Sequence, residues 1–174
     1  RYGEDFAGRT QAVAYGEVTS RGGVDISFHP AGHVLGSAQI LFELKGFRAV
    51  VSGDYKREAD PTCVPFMPVR CALFVTEATF GLPVFRHPPA TGEIARLLAS
   101  VALFPERTHL VGAYALGKAQ RLIALLRAAG YEAPIHLHGA LLGLTALYQR
   151  HGIALGEVRH VAPAERGKLG GAVV

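Results

Sequence analysis

Hydrophobic and polar positions alternate weakly over Val18–Phe28, on either side of Arg21-Gly22-Gly23. Two strands joined by a glycine turn are the reading of that pattern. A second hairpin is predicted from Gln39–Leu44 and Arg48–Ser52, with Lys45-Gly46-Phe47 at its tip. Leu73-Phe74-Val75-Thr76-Glu77 is a short apolar run of the buried-strand type that ends on a carboxylate. Between these runs, Pro61, Pro65 and Pro68 exclude a helix or a central strand, so residues 55–70 read as an ordered loop. Residues 1–17 show little periodicity and read as a loop or a short helix with a fraying end.

The pattern changes character after Gly81. His87-Pro88-Pro89-Ala90-Thr91 reads as a linker, with Thr91 capping a helix from about Gly92 to Leu103. Ile94, Leu97, Leu98 and Val101 form one face of that helix. A strand over His109–Tyr114 precedes a helix over Gly117–Ala129, with Leu122, Leu125 and Leu126 inward and Gly130 as its stop. A strand over Pro134–His138, a helix over Ala140–Arg150 stopped at Gly152, and a strand over Val158–Ala162 complete the series. Strands alternating with helices at this spacing signal a parallel, Rossmann-like sheet. The fold class is therefore α/β, β-rich over residues 1–80 and helix-alternating over 81–174, with a domain boundary near 81–90.

Composition narrows the class. A chain of 174 residues, 49% hydrophobic with 21 Gly and 10 Pro, is globular and loop-punctuated. No apolar run approaches the ~18 residues that cross a bilayer, and no basic-then-apolar leader is present. A cytoplasmic protein with no membrane partner is expected. Cys63 and Cys71, eight positions apart, match no compact zinc-knuckle spacing and read as free thiols. The net charge is +4, and arginine supplies 14 of the 18 cations. Guanidinium forks suit phosphate, so the balance permits a nucleic-acid partner without requiring one. The chain begins at Arg1 and its only methionine is Met67, which suggests a processed product or a fragment.

The chemistry-bearing residues stand at strand ends. His29 and His33 lie four apart, but Pro30 and Gly32 separate them, so they share a turn and not a helix face. Asp54 follows Gly53 at the end of an apolar strand, and Glu77 ends the next one. An imidazole and a carboxylate on strand-end loops are the donors a hydrolytic metal site uses. Gly117-Lys118-Ala119-Gln120-Arg121 opens a helix directly after a strand. Helix N-terminal amides attract phosphate, so Gly117, Lys118 and Arg121 are candidate contacts to a nucleic-acid backbone, with Arg57, Arg86 and Lys56 as weaker ones. His136 and His138 would face the same side of a strand, but they stand far from His33 in sequence and read as structural.

Phe28-His-Pro-Ala-Gly-His-Val-Leu-Gly-Ser37, Val51-Ser-Gly-Asp-Tyr55 and Val75-Thr-Glu-Ala-Thr-Phe-Gly81 occur in that order. Together they resemble the metallo-β-lactamase-fold nucleases with a β-CASP insertion. Pro61-Thr-Cys-Val-Pro-Phe66, Phe80-Gly-Leu-Pro83, Ala113-Tyr-Ala-Leu-Gly-Lys-Ala-Gln-Arg121 and Leu137-His-Gly-Ala140 carry a narrower resemblance to the bacterial ligase-associated DNA exonucleases. The resemblance implies a partial αββα sandwich, carrying metal motifs three and four and β-CASP motif A, over residues 1–80. It implies the N-terminal part of a Rossmann-like β-CASP domain over 81–174. It also implies two zinc ions in the complete protein, with His33 as a ligand, Asp54 as a bridging ligand and His29 as a neighbour or structural residue. Glu77 would then help protonate the leaving oxygen.

The activity implied is zinc-dependent hydrolysis of nucleic-acid phosphodiesters, most simply a DNA exonuclease of DNA repair, with a ligase or helicase as companion. An RNA-processing nuclease similar to those that cut messenger-RNA 3′ ends shares the same metal motifs. A non-catalytic nucleic-acid-binding paralogue is the rival of another class, opposed by the presence of His33, Asp54 and Glu77. The family's His-x-His-x-Asp-His segment and its later β-CASP histidines have no counterpart in this sequence. An internal fragment is therefore expected, inactive alone, with zinc sites incomplete or absent and with apolar strand edges left exposed.

Overall fold

The computed structural model describes residues 8–162 and 169–174. It is a mixed α/β chain that divides into two compact units. The first comprises the chain up to Gly32, Gly36–Ala59 and Val64–Glu77; the second comprises His33–Leu35, Asp60–Cys63 and Ala78–Val174. The expected N-terminal loop or short helix falls partly on residues 1–7, outside the described residues.

In the first unit five strands form one sheet in chain order: β1 (Val18–Arg21), β2 (Val24–Pro30), β3 (Ala38–Leu44), β4 (Phe47–Val51) and β5 (Leu73–Val75). Both predicted hairpins are present. Gly22 (φ 57°) and Gly23 (φ 82°) close the first, and Lys45 (φ 49°) and Gly46 (φ 81°) close the second. Two consecutive positive φ values make the tight turn whose twist matches antiparallel strands. Phe47 consequently pairs with Leu44 as the first residue of β4, and is not part of the tip.

β4 and β5 run parallel, with Ala49 opposite Leu73 and Val51 opposite Val75. A parallel neighbour needs a crossover, which the proline-bearing loop supplies. Gln39, buried on β3, holds that loop by donating to the carbonyls of Pro30 (3.0 Å) and Met67 (2.8 Å). β5 departs from expectation: Leu73, Phe74 and Val75 are each 42–49% exposed, although the run has the composition of a buried strand. The reason is positional, because β5 is the edge of this sheet and pairs on one side only.

Among its described residues the second unit holds three helices, α1 (Ala90–Leu103), α2 (Lys118–Ala128) and α3 (Gly139–Arg150), and a parallel pair, β6 (Ile135–Leu137) with β7 (Val158–His160). Ile94, Ile123, Leu126, Ile135, Leu137, Tyr148, Leu155 and Val173 form its core. α1 begins two residues earlier than predicted, behind Pro89, so Thr91 lies in its first turn and does not cap it. On α2 the fully inward line is Ala119, Ile123 and Leu126, while Leu122 and Leu125 flank it. The strand predicted over His109–Tyr114 is reduced to a bridge between His109 and Val173. The His109 and Val111 amides donate to the Ala172 and Val174 carbonyls, and the Val174 amide returns to the His109 carbonyl.

Candidate functional site

In the first unit, the antiparallel register brings the end of β2, the start of β3 and the end of β4 to one side of the sheet: Pro30 faces Ala38, and Ile40 faces Val51. β5, parallel to β4, ends there too, and the Ser52 amide donates to the Val75 carbonyl at 2.9 Å. Asp54 lies three residues beyond β4 and Glu77 two beyond β5. Two neighbouring parallel strands therefore deliver two carboxylates at their C-terminal ends, Asp54 exposed and Glu77 half-buried. Gly53 (φ 56°) turns the chain out of β4 just before Asp54. Gly32 makes the close approach on this side, since a Cβ there would lie 2.5 Å from the Lys56 carbonyl oxygen and 2.7 Å from the Phe66 nitrogen.

His33 is exposed and, with Val34 and Leu35, belongs to the second unit. Three residues of that unit build the seat of this segment. The hydroxyl of Tyr148, on α3, accepts the Leu35 amide at 3.2 Å. Gly117 stands directly against Val34, where a Cβ would fall 2.4 Å from Val34 Cγ1. Gln120, wholly buried, accepts the Gly117 amide (2.8 Å) and donates to the Ala115 carbonyl (3.0 Å) and the Thr145 hydroxyl (3.1 Å). Burial pushes the Tyr148 hydroxyl pKa up; the Leu35 amide opposes this, and Cys63 and Asp60 add to it.

At the helix start read as a phosphate cradle, the first amides are engaged within the protein. The amides of Gly117, Lys118 and Ala119 go to the Gln120 side chain (2.8 Å), the Leu116 carbonyl (2.9 Å) and the Tyr114 carbonyl (3.1 Å). Donors already engaged inside the protein leave the helix dipole without its usual pointing hands. Arg121, also expected at phosphate, pairs instead through Nε with Asp60 Oδ2 at 3.4 Å, and Asp60 is almost wholly buried. Asp60 in turn accepts the amide (2.9 Å) and hydroxyl (2.6 Å) of Thr62. Lys118 remains exposed, its ammonium 4.9 Å from the ring centroid of Tyr114.

His29 sits on β2 with its Nε2 2.9 Å from the Ser27 hydroxyl. Burial, and then the charge of Arg48, lower its pKa from 6.5, so it is a neutral sheet residue near neutral pH. His136 is buried on β6, and His138 caps α3 by accepting the Ala140 amide on Nδ1 at 3.2 Å. Arg57 and Arg86 are exposed, and Lys56 is half-buried with its amide on the Ala31 carbonyl. Cys63 and Cys71 are half-buried and not disulfide-bonded.

Imidazole and carboxylate donors fit zinc-class ions in kind. In number they fall short: among the described residues no three His, Cys, Asp or Glu side chains gather closely enough to hold an ion.

No protein-family model matches the chain. Over 140 residues, 74% of its length, it is 34% identical to a probable DNA ligase from Opitutus terrae. Over 122 residues it is 30% identical to cleavage and polyadenylation specificity factor subunit 3 from Dictyostelium discoideum. Over 109 residues it is 37% identical to the endoribonuclease ysh1 of Emericella nidulans. These matches span 13%, 16% and 12% of the relatives' own lengths.

Proposed function

We propose, for a chain whose kinship with the metallo-β-lactamase-fold β-CASP nucleases these relatives bear out, that its parent protein is a metal-dependent nuclease hydrolysing phosphodiester bonds. The first unit is then the C-terminal side of the metallo-β-lactamase sandwich, and the second the start of the β-CASP domain. The observation that carries this reading is the pair of parallel strands with Asp54 and Glu77 just past their C-terminal ends. His33 and Asp54 are the donors this chain would give to a divalent centre, zinc in our reading, completed by other residues of the parent. Such an ion supplies Lewis acidity and an activated water. Glu77, two residues past the strand beside Asp54's, is the group we assign to the departing oxygen.

DNA is the favoured substrate and DNA repair the favoured setting, because the match to the probable DNA ligase runs over the largest share of the chain among the relatives named. A ligase is accordingly the companion to look for, with the cytoplasm as the compartment. RNA is the second reading, favoured by the endoribonuclease relatives. Side-by-side digestion of labelled single-stranded DNA and RNA by the full-length protein, with and without chelator, tests both. Chelator-sensitive cleavage of DNA alone is expected; RNA-only cleavage would transfer the assignment, and cleavage of neither would end it.

A further inference from the structure

We propose that Tyr114 and Lys118 form a stacking platform for one unpaired base of a single-stranded nucleic acid. Tyr114 lies between the His109–Val111 segment, which hydrogen-bonds to Ala172 and Val174, and the start of α2. The ring is 75% exposed, unusual for a large aromatic side chain that belongs to no core. It is not adrift, because the Lys118 ammonium covers it at 4.9 Å. A cation over one face fixes the ring and leaves the other face open.

The platform borders two grooves that it shares. Gly112, Ala113, Tyr114 and Lys118 line one, of about 300 Å³. Next to it a groove of about 390 Å³ runs between α1 and α2, with apolar Ile94, Val111 and Leu122 along its floor and Lys118 and His87 among its polar groups. Flat aromatic, flexible cation and a slot with a glycine wall are what a base and its phosphate need together. Stacking demands an accessible base face, which a duplex interior withholds, so a single strand is the ligand. The platform extends the nuclease reading and rests on it only for the identity of the ligand.

The chain contains no tryptophan, so Tyr114→Trp introduces a unique fluorophore at the platform. With chelator present to prevent cleavage, oligothymidylate is expected to quench that emission, and a hairpin duplex of equal charge to leave it unchanged. Tyr114→Ala should weaken single-strand binding roughly ten-fold or more, the effect of losing one stacked base. Lys118→Gln should flatten the slope of log Kd against log salt by about 0.7, one phosphate's share for a single strand. Unquenched emission with bound strand, or equal Tyr114→Ala losses for duplex and single strand, would overturn the platform. So would a tryptophan quenched by an apolar peptide and not by nucleic acid. Chelator-sensitive hydrolysis by the full-length protein tests the nuclease reading separately, so the two can fail independently.

Discussion

Replacing Tyr148 by Phe removes one oxygen and leaves the ring that fills the core of the second unit. That oxygen is the acceptor of the Leu35 amide at 3.2 Å, two residues from His33. Phe cannot accept, and the amide is half-buried, so part of its desolvation is left uncompensated. Such a loss costs about 1–2 kcal/mol. With a urea slope of roughly 1–3 kcal/mol/M, the unfolding midpoint should fall by about 0.5–1 M with the slope unchanged. Amide exchange at Leu35 should quicken about ten-fold while Ile123 and Leu126, in the same core, keep their protection. The pH dependence adds a second signature. Burial raises the folded-state pKa of the hydroxyl above its ordinary value of 10, so the unfolded chain loses this proton first. The contribution is complete below pH 10 and declines as pH rises past it, with a limiting slope of about 1.4 kcal/mol per pH unit. Tyr148→Phe should therefore show a shallower alkaline loss. An unchanged midpoint with unchanged Leu35 exchange would refute the hydrogen bond as the tether of this segment.

Gly117→Ala would force a methyl to within 2.4 Å of Val34 Cγ1 at a φ of 78°, and should destabilise by about 2–4 kcal/mol in chemical denaturation. Val34→Ala in the same chain should restore the packing part and leave about 1 kcal/mol of backbone strain, whereas additive losses would show the contact to be unimportant. Arg121→Gln removes the ion-pair partner of the buried Asp60, and about 2–3 kcal/mol should be lost; Arg121→Lys should recover part of it in the same titration. His29 has a folded-state pKa below its unfolded value of 6.5, so its contribution is complete above that pH and declines as pH falls through the folded value. His29→Asn should flatten the stability curve below about pH 6.5 in urea titrations; an unaltered acid limb would reject it.

Much of the fold was legible because it is written in local patterns. Both hairpins could be placed from Gly22-Gly23 and Lys45-Gly46, since two-residue turns demand positive φ and so leave a mark in sequence. The stops at Gly130 (φ 85°) and Gly152 (φ 83°) are legible for the same reason. Exposure of β5 was not, because its composition describes the faces a strand can cover and not whether a neighbour covers them. At the candidate site, Asp54 and Glu77 were readable as strand-end carboxylates. The role of the Gly117–Arg121 run is ambiguous in sequence for a physical reason: a glycine before a basic helix start looks the same whether its amides meet phosphate or a buried glutamine. Gln120 decides between them, because an amide three residues into the helix can accept the Gly117 N–H only by turning inward. That turn occupies the cradle and seats Val34 against Gly117, so the motif acts first on the segment bearing His33. Its cation survives as Lys118 alone, displaced onto the face of Tyr114. Contact with a nucleic acid at this corner should then depend on a ring more than on a helix dipole, an ordering that substitution at 114 and at 118 can separate.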